Sequence, residues 1–135
     1  MKLEIVQATH IDRAWKEGAS CLAEACETSG GEVTGDQLKM LLSRNERHLV
    51  ALKEEAETVG WGVFRIDQLP NMRVYFITDL YAPDIHFERF FSEVRLMAEA
   101  FGCSRVRCAA KPVQARLYQM KCGFKPVYTT LEIEV

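Results

Sequence analysis

Apolar and polar residues alternate at the start of the chain. Leu3–Ala8 (LEIVQA) has the period-two pattern of a strand with one buried face. The period then lengthens. Ile11, Trp15, Ala19, Leu22 and Cys26 recur at helical spacing and predict one helix over this stretch. The run TSGGEVTG breaks it. Thr34 with Gln37 makes a capping-box pattern, and Leu38, Leu41 and Leu42 give a second helix its apolar stripe.

After SRNER the period shortens again. His48–Glu55 (HLVALKEE) and Thr58–Ile66 (TVGWGVFRI) read as two strands joined by a short polar turn, a β-hairpin. LPN punctuates, and Arg73–Ala82 (RVYFITDLYA) follows as a third strand. Its centre is apolar on nearly every residue, which predicts a place inside the sheet. Pro83 ends this strand. Asp84 can cap a helix over Ile85–Phe101, with Phe87, Phe90, Phe91, Val94, Met97, Ala98 and Phe101 on one face and Gly102 as its stop. Ser104–Ala110 (SRVRCAA) is a strand. Pro112 can open a last helix, with Ala115, Leu117, Tyr118 and Met120 as core contacts, and Gly123 closes it. Phe124–Val135 predicts a final strand pair or bent strand, with Pro126 at a turn or bulge.

The resulting order is β-α-α-β-β-β-α-β-α-β. Strands alternating with helices in the second half indicate crossovers, so pattern alone predicts a mixed-sheet α/β domain. With 135 residues and no internal repeat or linker, one domain over 1–135 is expected.

Composition narrows the reading. The apolar runs are too short for a membrane span, and the start MKLEIVQATH has no signal-peptide hydrophobic region. An intracellular, cytoplasmic protein follows as the expectation. The five cysteines form no CxxC pair and have no histidine at metal-ligand spacing, so small buried thiols are expected and no metal site. A formal net charge of −2 argues against a dedicated nucleic-acid binder. It conceals an asymmetry, however. Arg105, Arg107, Lys111, Arg116, Lys121 and Lys125 follow one another with no acid between them. Such a stretch is a solvated face, or a surface for a phosphate, an acidic partner or nucleic acid.

The order of elements, ending in ARLYQMKCGFKPV, resembles the GNAT superfamily of acyl-CoA-dependent N-acyltransferases. The resemblance is one of topology over nearly the whole chain. It is most specific in the last third, where a strand precedes A-x-L-Y-x-x-x-x-G-F. VGWGVFRI is also similar to the third strand of such proteins, and LYA to the start of their cofactor-binding strand-loop-helix. The resemblance implies a centrally splayed sheet flanked by helices, with the pantetheine arm of acetyl-CoA between the splayed strands. It implies a diphosphate held by backbone N–H groups at a helix start, where unpaired donors and the helix dipole suit an anion.

Two departures stand out. The family loop follows roughly R/Q-x-x-G-x-G/A, because glycine lets the backbone wrap the phosphates. Here the residues after Pro83 are DIHFE, and the glycine loop is missing. The resemblance then leaves the cofactor to Leu80, Ala82, Ile85, His86, Phe87 and Arg89, with weak binding expected; His86 faces phosphate or solvent. The family tyrosine that protonates the departing thiolate falls at Gln119. Tyr118 lies one residue earlier, as a substitute acid or as a core residue. Asp79, where the family often has an acid, is either the general base for an unknown amine acceptor or an ordinary strand-end aspartate. Two readings are implied: an N-acyltransferase with a shortened loop, or a degenerate GNAT fold of phage type without CoA binding that serves as a structural or interaction module. A nucleic-acid-associated accessory domain using residues 105–125 is a third.

Overall fold

The computed structural model describes residues 1–27 and 29–135. Five strands pair in the order β1-β2-β3-β4-β5: β1 Lys2–Val6, β2 His48–Glu54, β3 Glu57–Gln68, β4 Arg73–Tyr81 and β5 Arg105–Cys108. The first four run antiparallel to their neighbours, and β5 lies parallel to β4. A parallel neighbour requires a crossover, and the helix α4 (Phe87–Ala100) supplies it. Arg73–Ala82 and Ser104–Ala110 are thus adjacent around one helix, as their apolar patterns predict.

Alternation along the strands builds two cores. Val50 and Leu52 of β2 join Leu3, Phe64, Tyr75 and Ile77 on one face, beneath Phe87, Phe90, Phe91, Val94 and Ala98 of α4. Leu49 and Ala51 join Trp61 and Val63 on the other face, beneath α1 (Ile11–Glu17), α2 (Leu22–Glu27) and α3 (Gly35–Ser43). Gly62 marks the tightest approach of sheet and helix. A Cβ there would lie 2.8 Å from Phe90 Cζ and 3.2 Å from Val50 Cγ2.

Local signals set the element ends. Thr34 Oγ1 accepts from the Gln37 N–H at 3.2 Å, and Gln37 Oε1 accepts from the Thr34 N–H at 3.0 Å, a complete capping box. The last helix, α5, spans Pro112–Cys122, with Pro112 in its first turn and Gly123 at φ 74° beyond its end. The expected cap from the Asp84 side chain lies outside the described residues.

Three expectations are corrected. The helix expected from Ile11 to Cys26 is interrupted, because Gly18 adopts φ 140° and caps α1; a short 3₁₀ turn, Ala19–Cys21, intervenes before α2. Met120 is not a core contact: it is 84% exposed, on the outer side of α5. The third correction concerns Phe124–Val135. These residues form no strand; Phe124 packs partly against the α4-side core, and everything from Lys125 onward is exposed.

Candidate active site

The sheet opens where β4 outlasts β5. The parallel pairing runs from Val74↔Arg105 to Ile77↔Cys108 and stops. Beyond it β4 continues through Thr78, Asp79, Leu80 and Tyr81, paired only with β3, while the chain after Cys108 leaves toward α5. The β5-facing side of this last stretch of β4 therefore has no strand partner. Backbone groups there can hydrogen-bond an extended ligand arm, as a sheet edge binds an added strand. The chain turns at Ala82–Pro83 into a 3₁₀ turn, Asp84–His86, and then into α4, so a helix start stands at the mouth of the opening.

A β-bulge decides which way Asp79 points. Val63 of β3 opposes Asp79, but Phe64 opposes Ile77, so Thr78 is the extra residue. Tyr75 and Ile77 face α4. Without the bulge, Asp79 would follow them. With it, Asp79 shares the face of Val63 and turns toward the helices on the other side. There it is buried. Oδ2 accepts from Thr78 Oγ1 at 2.8 Å and lies 3.7 Å from Arg47 Nη1, and Oδ1 lies 3.7 Å from Cys26 Sγ. Burial, and then the negative charge of Asp79, push the Cys26 thiol up to about 11.

Tyr118 lies on the opposite face. Its ring stacks on Phe87 at 5.2 Å and 15°, meets Phe91 edge-on at 5.4 Å, and lies 5.7 Å from Phe124. Burial, with smaller contributions from Cys108 and Cys122, pushes its hydroxyl up to about 12. Asp79 and Tyr118 therefore sit in different surroundings: the first over α2, the second in an aromatic cluster over α4. Gln119, at the family's tyrosine position, is exposed.

The expected cofactor residues fall into three groups. Leu80 and Ala82 are partly buried against the α4-side core and lie along the opening. Ile85 is 84% exposed, and Phe87 is a buried core residue, so at Phe87 only the backbone could meet a ligand. His86 does not face solvent: its ring is tucked beside β2, Nε2 lies 3.9 Å from Glu54 Oε2, and Nδ1 is buried without a partner among the described residues. Its backbone N–H is already donated to Pro83 O at 2.8 Å. Arg89 is set against Glu93 on its own helix, with 4.0 Å between Nε and Oε1.

Sequence reasoning missed Arg47, Cys26 and Thr78, which surround Asp79. Arg47 sits just before β2, where no periodicity marks it. Cys26 reads as one more apolar position of a helical stripe. Among the described residues no group of three or more His, Cys, Asp or Glu side chains could hold a metal ion. No helix among them is long and apolar enough to cross a membrane.

This architecture, a mixed five-stranded sheet that opens between its two parallel strands beside a helix start, is the GNAT fold. Solved structures agree along the whole chain. A probable acetyltransferase superposes with a TM-score of 0.70 at 17% identity, over 100% of both chains. A ribosomal-protein-alanine N-acetyltransferase from Brucella melitensis biovar Abortus 2308 gives 0.69 at 13% identity, also over 100% of both. An aminoglycoside acetyltransferase from an uncultured soil metagenomic sample, in complex with sisomicin, gives 0.62 at 13% identity, over 99% of this chain and 93% of that one. At such identities the likeness is one of fold. No protein-family model matches the sequence, and no curated protein does.

Proposed function

We propose that residues 1–135 form one GNAT-like domain that transfers an acyl group from acyl-CoA to an amine. The splay carries this reading: β4 runs from Thr78 to Tyr81 past the last β5 partner, beside the start of α4. The pantetheine arm would lie along this edge, held by the backbone at Leu80 and Ala82. Acetyl-CoA, when bound, supplies the thioester. Asp79, oriented by Thr78 and Arg47, takes the proton from the amine, through a water because its own side chain is buried. Five free cysteines are compatible with a reducing compartment, and the cytoplasm is part of this proposal.

The diphosphate end fits less well. No glycine stands between Tyr81 and Gly102. The His86 N–H is engaged by Pro83, and Arg89 faces Glu93. The helix start at Ile85–Phe87 thus offers fewer converging donors than a glycine loop, and each charge-assisted bond lost is worth about 1.5–3 kcal/mol. These same observations favour the second reading, a GNAT fold that has lost CoA binding and serves as an interaction module.

Titration calorimetry with acetyl-CoA separates the two. Binding weaker than micromolar is expected. A thermal-shift series supports it: ligand at 100 times its dissociation constant adds about 2.7 kcal/mol to stability. Neither heat nor shift at millimolar acetyl-CoA refutes the acyltransferase reading in favour of the second. Submicromolar affinity shows that another element replaces the loop.

A further inference from the structure

The helix α1 packs on the inside of the sheet and leaves the β1 edge largely uncovered. Ile11 and Ala14 share a core with Leu49 and Ala51 of β2 and with Trp61 and Val63 of β3, to which β1 adds only a partly buried Val6. A hollow of about 260 Å³ remains between α1 and β1. It is smaller than the about 300–1,000 Å³ that takes a drug-sized molecule, so its occupant is small. No residue of β4 or β5 lines it, which sets it apart from the opening between those strands.

The inner end of the hollow is apolar. Ala14 and Ala51, both buried, close it, with the Trp61 ring beside them. The mouth is charged. Leu3 belongs to the core beneath α4 and Val6 to the core beneath α1, so alternation puts Glu4 on the α1 side of β1. Glu4 opposes Ala51, and Lys53 is its diagonal neighbour on β2. Yet neither makes an ion pair among the described residues. Lys53 directly opposes Lys2 instead, and like charges so placed repel. On the α1 rim Arg13 and Glu17 already face each other at 3.9 Å.

An unpaired carboxylate and an unpaired ammonium thus stand side by side before an apolar recess. A ligand with one charge is attracted by one of them and repelled by the other. A zwitterion satisfies both. Its ammonium meets Glu4, and its carboxylate meets Lys53, where it also offsets the repulsion from Lys2. A short apolar side chain on the same molecule reaches the inner end at Ala14, Ala51 and Trp61.

The geometry points to a binding site for a free α-amino acid with a short apolar side chain, held between Glu4 and Lys53 in the hollow between β1 and α1. This binding is independent of acyl transfer, because none of these residues takes part in that reaction.

Nitrogen–proton correlation spectra of the full chain, titrated with L-valine, test it. Saturable shifts are expected in the amides of Glu4, Ala51 and Lys53 and in the Trp61 indole, with a midpoint in the millimolar range. Isobutylamine and 3-methylbutanoate are valine without one or the other charge. Each loses a charge-assisted bond and is expected to bind at least about tenfold more weakly. Glu4→Gln and Lys53→Gln are each expected to weaken valine binding by a similar factor. Their urea midpoints are expected to stay at the wild-type value, since both side chains reach solvent. A spectrum unmoved by valine at tens of millimolar overturns the proposal, as do shifts confined to Thr78–Tyr81 at the opening. Equal affinity for the three ligands overturns it too, and so does wild-type affinity for valine in either variant.

Discussion

Replacing Tyr118 by phenylalanine removes one oxygen and keeps the ring. The ring holds three aromatic neighbours, Phe87, Phe91 and Phe124, at 5.2–5.7 Å. Among the described residues its hydroxyl makes no hydrogen bond to the protein. Tyr118→Phe therefore loses nothing in the cluster, and its unfolding free energy is expected to stay within about 0.5 kcal/mol of wild type. Tyr118→Ala is different. A fully buried aromatic residue truncated to alanine costs about 3–5 kcal/mol, and Tyr118 is only half buried, so about 2 kcal/mol is expected. Urea unfolding of both variants measures these losses. A third measurement, thiol release from acetyl-CoA in the presence of amines, addresses chemistry. If Tyr118 packs and does nothing more, Tyr118→Phe leaves any turnover nearly intact. An acid catalyst would lose about a hundredfold or more, with CoA affinity unchanged. A large turnover defect in a stable, CoA-binding Tyr118→Phe protein would refute the packing role. So would a Tyr118→Ala variant with a wild-type urea midpoint.

Gly62→Ala drives a Cβ to within 2.8 Å of Phe90 Cζ in a fully buried site, and about 1–3 kcal/mol of overpacking loss is expected; an unshifted urea midpoint rejects it. Thr34→Ala removes half of the capping box at α3 and is expected to cost about 1 kcal/mol by the same assay, with Thr34→Ser restoring most of it. Asp79→Ala leaves Arg47 without its carboxylate, and about 2 kcal/mol is expected, less than for a fully buried pair because Arg47 keeps some contact with water. The Cys26 thiol, raised to about 11 in the fold against 9 ordinarily, predicts an alkaline effect. The unfolded chain releases this proton first, so the contribution is intact below pH 9 and is lost as pH rises from 9 to 11. Unfolding measured across that window is expected to show a shallower decline in Cys26→Ala than in wild type.

Much of the architecture is local and could be read in order. The apolar stripe from Phe87 to Ala98 predicts the helix that packs on the sheet, and it is the face that α4 buries. Thr34 with Gln37, Pro112 and Gly123 act within one turn of their own backbone, so their sequence spacing is enough to place the element ends. The parallel pair of β4 and β5 follows from a helix between two strands, because a crossover returns the chain in the same direction.

What the local pattern could not carry depends on a partner distant in sequence. Strict alternation along RVYFITDLYA would put Asp79 beside Ile77. The bulge at Thr78 exists only in the register with β3, and it sends Asp79 to the other face. Arg47 and Cys26 reach Asp79 through the packing of the helices over the sheet, across separations no periodicity spans. Gly18 looks like one tolerable glycine in a helical stripe until its φ of 140° divides the helix. Alternation in TTLEIEV has the period of a strand, yet Phe124–Val135 forms none. Only the tertiary structure shows this, because a strand exists only where its backbone groups are bonded to a neighbouring strand, and β5 is bonded on the β4 side alone.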